Sequence, residues 1–342
     1  MYKFKNDYSE GAHPSIIEEM IKTNLDQTVG YGEDKYCESA RELIKAHIKH
    51  PNADIHFFIG GTQTNLTAIS AFLRPHEAVI AADTAHIQLH EAGAIEATGH
   101  SIINVKHRHG KIEASQVENV LKHHLSPHMT KAKMVYISNA TEYGTLYSKA
   151  ELHALSKVCK ENNLILYIDG ARLGVALTAN NNDLTMQDIA NYADAFYIGG
   201  TKNGAIFGEA LVITNPSLQD DFKYFMKQRG ALLAKGRFLG IQFNKLFEQD
   251  LFYELATHAN KMAAIINDTL IEKNYKVFVP TETNQLFPIL SHAEFETLSK
   301  KFDFEMWEPF DDLHYVTRFV TSWATTEEGV KMFVEALANL RN

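Results

Sequence analysis

From about Asp54 onward, short apolar runs rich in β-branched and aromatic residues alternate with longer segments of helical period, and this alternation constrains the fold most strongly. The pattern predicts an α/β fold in which helices cover a mainly parallel sheet. The predicted strands are Ile55–Ile59, Ala78–Ala81, Ser101–Val105, Met134–Ser138, Leu164–Ile168, Ala195–Ile198 and Ala210–Thr214. Predicted helices include Thr62–Leu73, Gln116–His124 and Lys149–Glu161.

The order of elements changes after a predicted helix around Gly236–Glu248. The later predicted strands are Lys276–Val279, Leu286–Leu290 and Tyr315–Val320, and the later helices are Ala293–Lys301 and Thr326–Leu340. This mixture predicts a separate α+β domain. We therefore expect an N-terminal arm at 1–15, a large domain at 16–245 and a smaller C-terminal domain at 246–342.

Charge and composition favour a small-molecule substrate. The 33 basic and 42 acidic residues give a formal charge of -9, which argues against a nucleic-acid partner. The N-terminus lacks the apolar core of a secretory signal, and no stretch of about 18 apolar residues occurs, so no membrane partner is expected. Cys37 and Cys159 form neither a redox pair nor a metal cluster, and the 17 histidines show no ligand spacing. These features predict a cytoplasmic protein without a metal site.

Three segments place polar residues directly after predicted strands, where open α/β sheets bind ligands. The first is Gly60-Gly61-Thr62-Gln63-Thr64-Asn65. Its glycines permit close approach to an anion, and Thr62 and Thr64 offer hydroxyl groups at a helix N-terminus that favours phosphate. Alternatively, the segment is a tight turn with a threonine cap.

The second segment places the carboxylate of Asp169 directly after an apolar strand, with Arg172 three residues later. A buried carboxylate at this position needs a cationic partner, and a protonated pyridine nitrogen would serve. Alternatively, Asp169 caps a helix and pairs with Arg172 at the surface.

The third segment places Lys202 just past another apolar strand, between glycines. A desolvated lysine titrates lower and attacks an aldehyde as an amine nucleophile. Taken alone, Lys202 would more often be a solvated surface residue, as most lysines are. The ordered combination of the three segments favours a phosphorylated, aromatic, electron-withdrawing cofactor.

With Asp83-Thr84-Ala85-His86 and the Asp169-Gly170-Ala171-Arg172 segment, this combination resembles fold-type-I pyridoxal-5′-phosphate (PLP) enzymes, in particular the threonine aldolase/β-eliminating lyase family. The Tyr31-Gly32-Glu33-Asp34 segment also resembles that family, and the similarity extends nearly from end to end. The resemblance implies a large PLP-binding domain and a cofactor bound to Lys202 as a Schiff base, with its ring nitrogen held by Asp169.

Further roles follow from the resemblance position by position. Gly61 and Thr62 are implied to hold the cofactor phosphate, and His86 is implied to stack on the cofactor ring. Glu91 lies five residues after His86 and is expected to orient it. Alternatively, His86 is a helix-entry histidine with local hydrogen bonds.

Arginines are implied to bind the substrate. Arg172 and Arg318 correspond to residues that grip the α-carboxylate, since a planar guanidinium matches two carboxylate oxygens. Arg237 corresponds to an arginine that faces the cofactor region and reaches a neighbouring subunit, or is an exposed residue at the start of a helix. Tyr31 is assigned to the substrate site through its motif.

The sequence departs from the family pattern at Asn6, at Thr141 and before Arg237, where a glycine-rich run is largely lost. Asn6 replaces a substrate-binding serine, and Thr141 stands where the family has a histidine that contacts the substrate hydroxyl. We retain both as expected substrate-binding residues. Asn139 matches an asparagine that hydrogen-bonds the cofactor's phenolic oxygen. With Thr141 in place of histidine, a bound water or His86 is the expected base.

The implied reaction is cleavage of a β-hydroxy-α-amino acid of the threonine or allo-threonine type to glycine and an aldehyde. The alternatives are a β-eliminating lyase, an aminotransferase, or a PLP-binding protein without turnover. A dehydrogenase is disfavoured because no G-x-G-x-x-G motif follows the early strands. The resemblance further implies a homodimer or homotetramer.

Overall fold

A mixed seven-stranded sheet forms the centre of the computed structural model, which describes residues 1–341. Its strands are β2 (Asp54–Phe58), β3 (Glu77–Ala82), β4 (Ser101–Val105), β5 (Lys131–Ser138), β6 (Ile165–Asp169), β7 (Ala195–Gly199) and β8 (Glu209–Ile213). The strand order is β2-β8-β7-β6-β5-β3-β4, and only β8 runs antiparallel to its neighbours. The expected α/β fold with a mainly parallel sheet is confirmed.

Helices pack around this sheet and continue into the C-terminal part. They are α1 (Pro14–Lys22), α2 (Lys35–Ile48), α3 (Gly61–Phe72), α4 (His86–Leu89), α5 (Ala114–His123), α6 (Lys149–Glu161), α7 (Leu173–Leu177), α8 (Met186–Tyr192), α9 (Phe222–Gln228), α10 (Arg237–Glu248), α11 (Leu251–Glu272), α12 (His292–Ser299) and α13 (Glu327–Asn339). Two 3₁₀ turns lie at Glu96–Thr98 and Pro216–Leu218. Helix α6 begins after Ser148 because Ser148 and Glu151 form a reciprocal capping box that satisfies backbone N–H groups at its N-terminus.

The central strands β6, β7 and β8 are buried along their whole length. Their continuous apolar sequences reflect this, since a strand covered on both faces has no solvent side. Asp169 is the last residue of β6, and Lys202 follows β7 by three residues. Parallel pairing brings the carboxyl ends of β5, β6 and β7 to the same edge of the sheet, so the predicted segments meet there.

A smaller antiparallel sheet lies in the C-terminal part. It contains β9 (Gln285–Leu286), β10 (Ile289–Ser291), β12 (Glu305–Asp311) and β13 (His314–Val320). The predicted strand Lys276–Val279 is wrong, because that segment makes only one isolated bridge, from Val277 to Pro288. The predicted strand Leu286–Leu290 is interrupted at Pro288, which has no N–H to donate to a ladder. The sequence interpretation missed β12.

The N-terminal strand β1 (Tyr2–Lys3) pairs in parallel with β11 (Phe302–Asp303), so the start of the chain joins its C-terminal part. A second apolar core there combines Phe4 with side chains of α11, β13 and α13. Helix α11 also contributes Phe252 and Leu255 to the core of the large sheet. The boundary between 245 and 246 stays a prediction, and Asn342 of the expected small domain lies outside the described residues.

Within residues 1–341, no helix combines the length and the apolar character that crossing a membrane requires.

Candidate active site

A cavity of about 310 Å³ opens at the carboxyl edge of the large sheet, within the size range of small-molecule sites. Seven of the sequence-predicted site residues line it. They are Gly61, Thr62, His86, Thr141, Asp169, Arg172 and Lys202. Five other predicted residues, Asn6, Tyr31, Asn139, Arg237 and Arg318, are not among the residues that line it.

Asp169 lies at the floor of the cavity, almost fully buried. Its Oδ1 accepts hydrogen bonds from the Tyr197 hydroxyl (2.5 Å) and the Ala171 N–H (3.0 Å). Its Oδ2 accepts from the Tyr136 hydroxyl and from Asn65 Nδ2 (3.2 Å). The alternative in which Asp169 pairs with Arg172 at the surface is wrong, because Arg172 pairs with Asp7.

Burial raises the pKa of the Asp169 carboxyl, but the charge of His86 and the hydrogen bonds from Tyr136 and Tyr197 outweigh it and lower the pKa overall. The same burial, together with the charge of Asp169, raises the pKa of both tyrosine hydroxyls well above its usual range. Asp169 is therefore held as an anion among neutral donors. Such a carboxylate is suited to a cationic ring nitrogen.

His86 is connected to Asp169 through two intervening side chains. His86 Nδ1 lies 2.8 Å from Glu91 Oε1, so Glu91 holds the ring as the sequence predicts. Asn65 Nδ2 donates to the same Glu91 oxygen (2.8 Å) and to Asp169 Oδ2. The Tyr167 hydroxyl donates to Asn65 Oδ1 (3.1 Å), which fixes the orientation of the amide.

Lys202 also faces this cavity. Burial is the main cause that lowers its pKa, and the positive charge of Arg172 adds to the effect. Among residues 1–341, no carboxylate forms an ion pair with Lys202 Nζ. A larger fraction of this lysine is therefore the neutral amine, which is the form that attacks an aldehyde.

The N-terminus of α3 opens toward the cavity at Gly60, Gly61 and Thr62. Gly60 supplies no side-chain cap, and the first turn carries no acidic residue. A Cβ atom at Gly61 would lie 3.0 Å from the Tyr197 hydroxyl, so glycine keeps this approach open. The sequence predicts that the Thr64 hydroxyl is offered to a phosphate. It is instead buried and donates to the Gly60 carbonyl (2.9 Å).

Together these residues fit PLP. The amine of Lys202 matches the aldehyde, the carboxylate of Asp169 matches the pyridine nitrogen, and the uncapped helix N-terminus at Gly61 and Thr62 matches the phosphate. The exposed face of His86 is available for stacking, since its side chain is 38% exposed.

Arg172 is bound by Asp7. Arg172 Nε and Nη2 donate to the two carboxylate oxygens of Asp7 at 2.7 and 3.0 Å. Asn284 Nδ2 also donates to Asp7 Oδ2, at 3.0 Å. Burial raises the pKa of Asp7, but the charges of Arg172 and Lys202 and the two side-chain hydrogen bonds lower it to about 2 overall.

Arg318, on β13, forms an ion pair with Glu305, and its guanidinium carbon lies 4.8 Å from the centroid of the Trp307 ring. Its Nε is buried and has no acceptor among the described residues. Burial lowers the pKa of Arg318, and the charge of Arg172 is the next largest cause. The two predicted carboxylate-binding arginines are thus close enough for their charges to interact, with donor capacity left on Arg318.

Asn139 and Asn6 make local hydrogen bonds. Asn139 Oδ1 accepts from the Tyr147 N–H (3.3 Å). Asn6 Oδ1 accepts from the Tyr8 N–H and the Ser9 hydroxyl, both at 3.0 Å, within a turn of the N-terminal arm. Their expected contacts with cofactor and substrate stay predictions.

Arg237 and Tyr31 line other pockets than this cavity. Arg237 is buried at the start of α10, and its guanidinium donates to the carbonyl groups of Thr23 (2.8 Å) and Asn24 (2.9 Å). The alternative that Arg237 is exposed is therefore wrong. Tyr31 is 47% exposed.

The sequence interpretation missed two carboxylates that line the cavity, Glu142 and Glu209. Glu209 accepts from the Thr201 hydroxyl (2.8 Å) and the Gly200 N–H (3.2 Å), and burial raises its pKa to about 8. Glu209 is the first residue of the antiparallel strand β8, so its side chain reaches the same edge from the opposite chain direction. The antiparallel direction of β8 cannot be recognised from its apolar sequence, so the position of Glu209 at this edge was not predicted.

The proteins that are similar to this chain are consistent with a PLP site of this kind. The chain belongs to the beta-eliminating lyase family, whose family model matches residues 4–293. It is 30% identical to the low specificity L-threonine aldolase of a Pseudomonas species, over 99% of this chain and 97% of that protein. The low specificity L-threonine aldolase of Pseudomonas aeruginosa is 29% identical, over 96% and 95% of the two chains.

Solved structures give the same result. The structure of a Leishmania major threonine aldolase superposes with a TM-score of 0.99 and 48% identity over the whole of both chains. An aspartate aminotransferase from Thermus thermophilus superposes with a TM-score of 0.72 at 14% identity, over 99% of this chain and 91% of that one. This second likeness concerns the fold alone, which is that of fold-type-I PLP enzymes.

Proposed function

We propose that this protein is a PLP-dependent lyase that cleaves threonine or a related β-hydroxy-α-amino acid to glycine and an aldehyde. Similarity to threonine aldolases over the full chain supports this function. The observation that carries it is the cavity that gathers Lys202, Asp169 and His86 at one edge of the sheet beside Arg172.

The cofactor-binding roles divide among four parts of the chain. We propose that Lys202 binds the cofactor covalently, Asp169 holds its ring nitrogen, the N-terminus of α3 holds its phosphate and His86 covers its ring. Bound PLP supplies an electron sink for the electron pair of the bond that breaks at the substrate Cα. Asp169 supports that role because its neighbours keep it ionised.

The substrate α-carboxylate is proposed to bind between Arg172 and Arg318. Arg172 lines the cavity, and Arg318 Nε has no acceptor among the described residues. Burial is the main cause of the lowered pKa of Arg318, and the positive charge of Arg172 adds to it, so the two guanidinium groups repel each other. A bound carboxylate relieves that repulsion and accepts from both groups.

Incubation of the purified protein with L-threonine, L-allo-threonine and phenylserine tests the reaction. We expect glycine and the corresponding aldehyde in equal amounts, and no glycine from Lys202→Ala. Pyruvate or another keto acid without glycine would favour a β-eliminating lyase or an aminotransferase. No product from any of the three substrates would reject the aldolase function.

We further propose that the protein is a homo-oligomer. The segment before α2 exposes Leu25 (91%) and Val29 (68%) beside a groove of about 380 Å³ that Arg237 and Phe238 also line. An exposed apolar segment of this kind favours a protein interface. Tyr31 lies near the end of this exposed segment. If two copies associate through the segment, Tyr31 and Arg237 lie close to the second copy.

Sedimentation analysis of the wild type and of Leu25→Asp/Val29→Asp tests this proposal. We expect the wild type to sediment as a dimer or tetramer and the double variant as smaller species. A monomeric wild type at micromolar concentration would contradict the proposal. The cytoplasmic location and the domain boundaries stay predictions.

A further inference from the structure

Cleavage of a β-hydroxy amino acid needs a group that takes the proton of the β-hydroxyl. As the O–H bond breaks, the oxygen electron pair forms the C=O bond of the aldehyde, and the Cα–Cβ bond breaks with its electron pair at Cα. A proton then adds to Cα, so threonine yields acetaldehyde and glycine without another reactant. The group that takes the first proton must face the cavity with an unoccupied lone pair.

Thr141 does not meet this requirement. The Thr145 hydroxyl donates its single proton to the His109 carbonyl (2.6 Å). The 2.7 Å contact between the hydroxyl groups of Thr141 and Thr145 is therefore a hydrogen bond that Thr141 donates. Thr141 Oγ1 also accepts from the Thr145 N–H at 3.2 Å. The Thr141 hydroxyl thus holds a loop in place.

The next residue, Glu142, lines the same cavity as Lys202 and Asp169. Its Oε1 accepts from the Ser138 hydroxyl (2.7 Å) and from the backbone N–H of His86 (3.0 Å). Among the residues that the structure describes, no other side chain donates to the second carboxylate oxygen, Oε2. One oxygen therefore anchors the side chain, and the other keeps lone pairs for a ligand.

His86 has a different set of constraints. Its Nδ1 is committed to Glu91, and its N–H holds Glu142. The His86 segment therefore positions Glu142 directly. This contact holds the carboxylate against the backbone at the start of α4.

We propose that Glu142 is the base that takes the proton of the substrate β-hydroxyl, in the place where the resemblance implies a histidine at Thr141. The inference rests on the proposed aldolase function. Glu142 then returns the proton to solvent or to the product.

The electrostatic surroundings suit this role. Burial raises the pKa of Glu142 overall, and the charge of Asp169 adds to the increase. The hydrogen bonds from Ser138 and from the backbone N–H of Glu142 itself, together with the charge of His86, lower the pKa by a smaller amount. Other groups that interact with its charge are Arg172, Tyr136, Tyr143 and Tyr147. A carboxylate with a raised pKa is a stronger base than an ordinary glutamate.

Two reactions of the holoenzyme separate this role from a structural one. Threonine cleavage requires removal of the hydroxyl proton, whereas exchange of the glycine α-proton with deuterated water does not. We expect Glu142→Gln to lower kcat for cleavage by about 100-fold or more. The variant should exchange the glycine proton within a few-fold of the wild-type rate. Glu248→Gln, which changes an exposed carboxylate paired with Lys245, should leave both rates unchanged.

Titration provides a readout that does not depend on turnover. Because Glu142 must be ionised to accept a proton, kcat/KM for cleavage should fall as the pH drops through its raised pKa. Carbon-13 NMR of glutamate-labelled holoenzyme, assigned with Glu142→Gln, should show a carboxyl that titrates at that same midpoint, above the ordinary value of 4.5. A Glu142 midpoint at or below 4.5 would overturn the proposal.

The other possible results also distinguish the role of Glu142 from the proposed aldolase function. If the wild type cleaves threonine and Glu142→Gln cleaves it within tenfold, the proposal fails while the aldolase function stands. Equal loss of cleavage and exchange in a variant that retains cofactor absorbance would also overturn it, since the role would then be structural. If Glu142→Gln does not fold, Glu142→Asp keeps the carboxylate and must retain the acid limb of the pH profile. Inactivity of the wild type on every β-hydroxy amino acid would instead reject the aldolase function.

Discussion

Asp7 and Arg172 form a bidentate ion pair, with donor–acceptor distances of 2.7 and 3.0 Å, that ties the N-terminal arm to the edge of the large sheet. Asn284 in the C-terminal part donates to the same carboxylate. Three distant parts of the chain thus meet at one buried charge. The pair holds Arg172 in position beside the cavity before any substrate is bound.

Loss of the Asp7 charge should destabilise the protein. Asp7→Asn leaves the guanidinium of Arg172 buried without its partner, so we expect the free energy of unfolding at pH 7 to fall by about 3–5 kcal/mol. Urea unfolding measures this change. Glu38→Gln, which removes an exposed partner of Arg41, should change it by less than about 1 kcal/mol.

The same pair predicts a pH dependence. The pKa of Asp7 is lowered from 3.8 to about 2, so its stabilising contribution is complete above pH 3.8 and is lost as the pH falls toward 2. The difference in unfolding free energy between wild type and Asp7→Asn should therefore shrink only below about pH 4. A difference that already shrinks between pH 7 and pH 5 would contradict this assignment.

The neutrality of the Asn65 side chain should matter more for cofactor binding than its shape. Its amide nitrogen lies between Glu91 and Asp169, so Asn65→Asp places a third carboxylate against two others. We expect this variant to bind PLP at least about tenfold more weakly than Asn65→Leu, because like charges oppose the ionised form of Asp169. Titration of the apoenzyme with PLP measures both affinities. Equal affinities would argue against an electrostatic link.

Asp169 should determine cofactor affinity. Asp169→Asn keeps the size of the side chain but removes the charge that we propose to hold the ring nitrogen. A hydrogen bond to a charged group contributes about 1.5–3 kcal/mol, which corresponds to a loss in PLP affinity of about 10- to 150-fold. Equilibrium dialysis of the apoenzyme gives the value. Unchanged affinity would remove Asp169 from the cofactor site.

Arg318 should act on substrate binding. Arg318→Lys keeps the positive charge but cannot form two parallel hydrogen bonds to a carboxylate. We expect KM for threonine to rise about tenfold or more with a smaller change in kcat. Steady-state kinetics separates the two constants, and an unchanged KM would show that Arg318 does not bind the substrate carboxylate.

Much of this architecture could be predicted from sequence. The strands of the large sheet are buried on both faces and read as continuous apolar runs, and Asp169 and Lys202 follow two of them directly. The position of Glu91 five residues after His86 also predicted their hydrogen bond. These features could be predicted because each depends on residues that are close together in the sequence.

Contacts between distant segments could not be predicted in the same way. The partner of Arg172 lies 165 residues away in the arm, and Asn65 reaches Asp169 across 104 residues. Glu142 directly follows Thr141 in the sequence, but the orientation of its carboxylate depends on Ser138 and on the backbone of His86. Pairing within the smaller sheet likewise depends on partners far along the chain.

The covalent attachment of PLP to Lys202 is the central claim and can be tested directly. Borohydride reduction of the holoenzyme should fix the cofactor, and peptide mass analysis should find the added mass on the peptide that contains Lys202. Lys202→Ala should yield no modified peptide. Stoichiometric modification of another lysine, or a modified Lys202→Ala protein, would contradict the account.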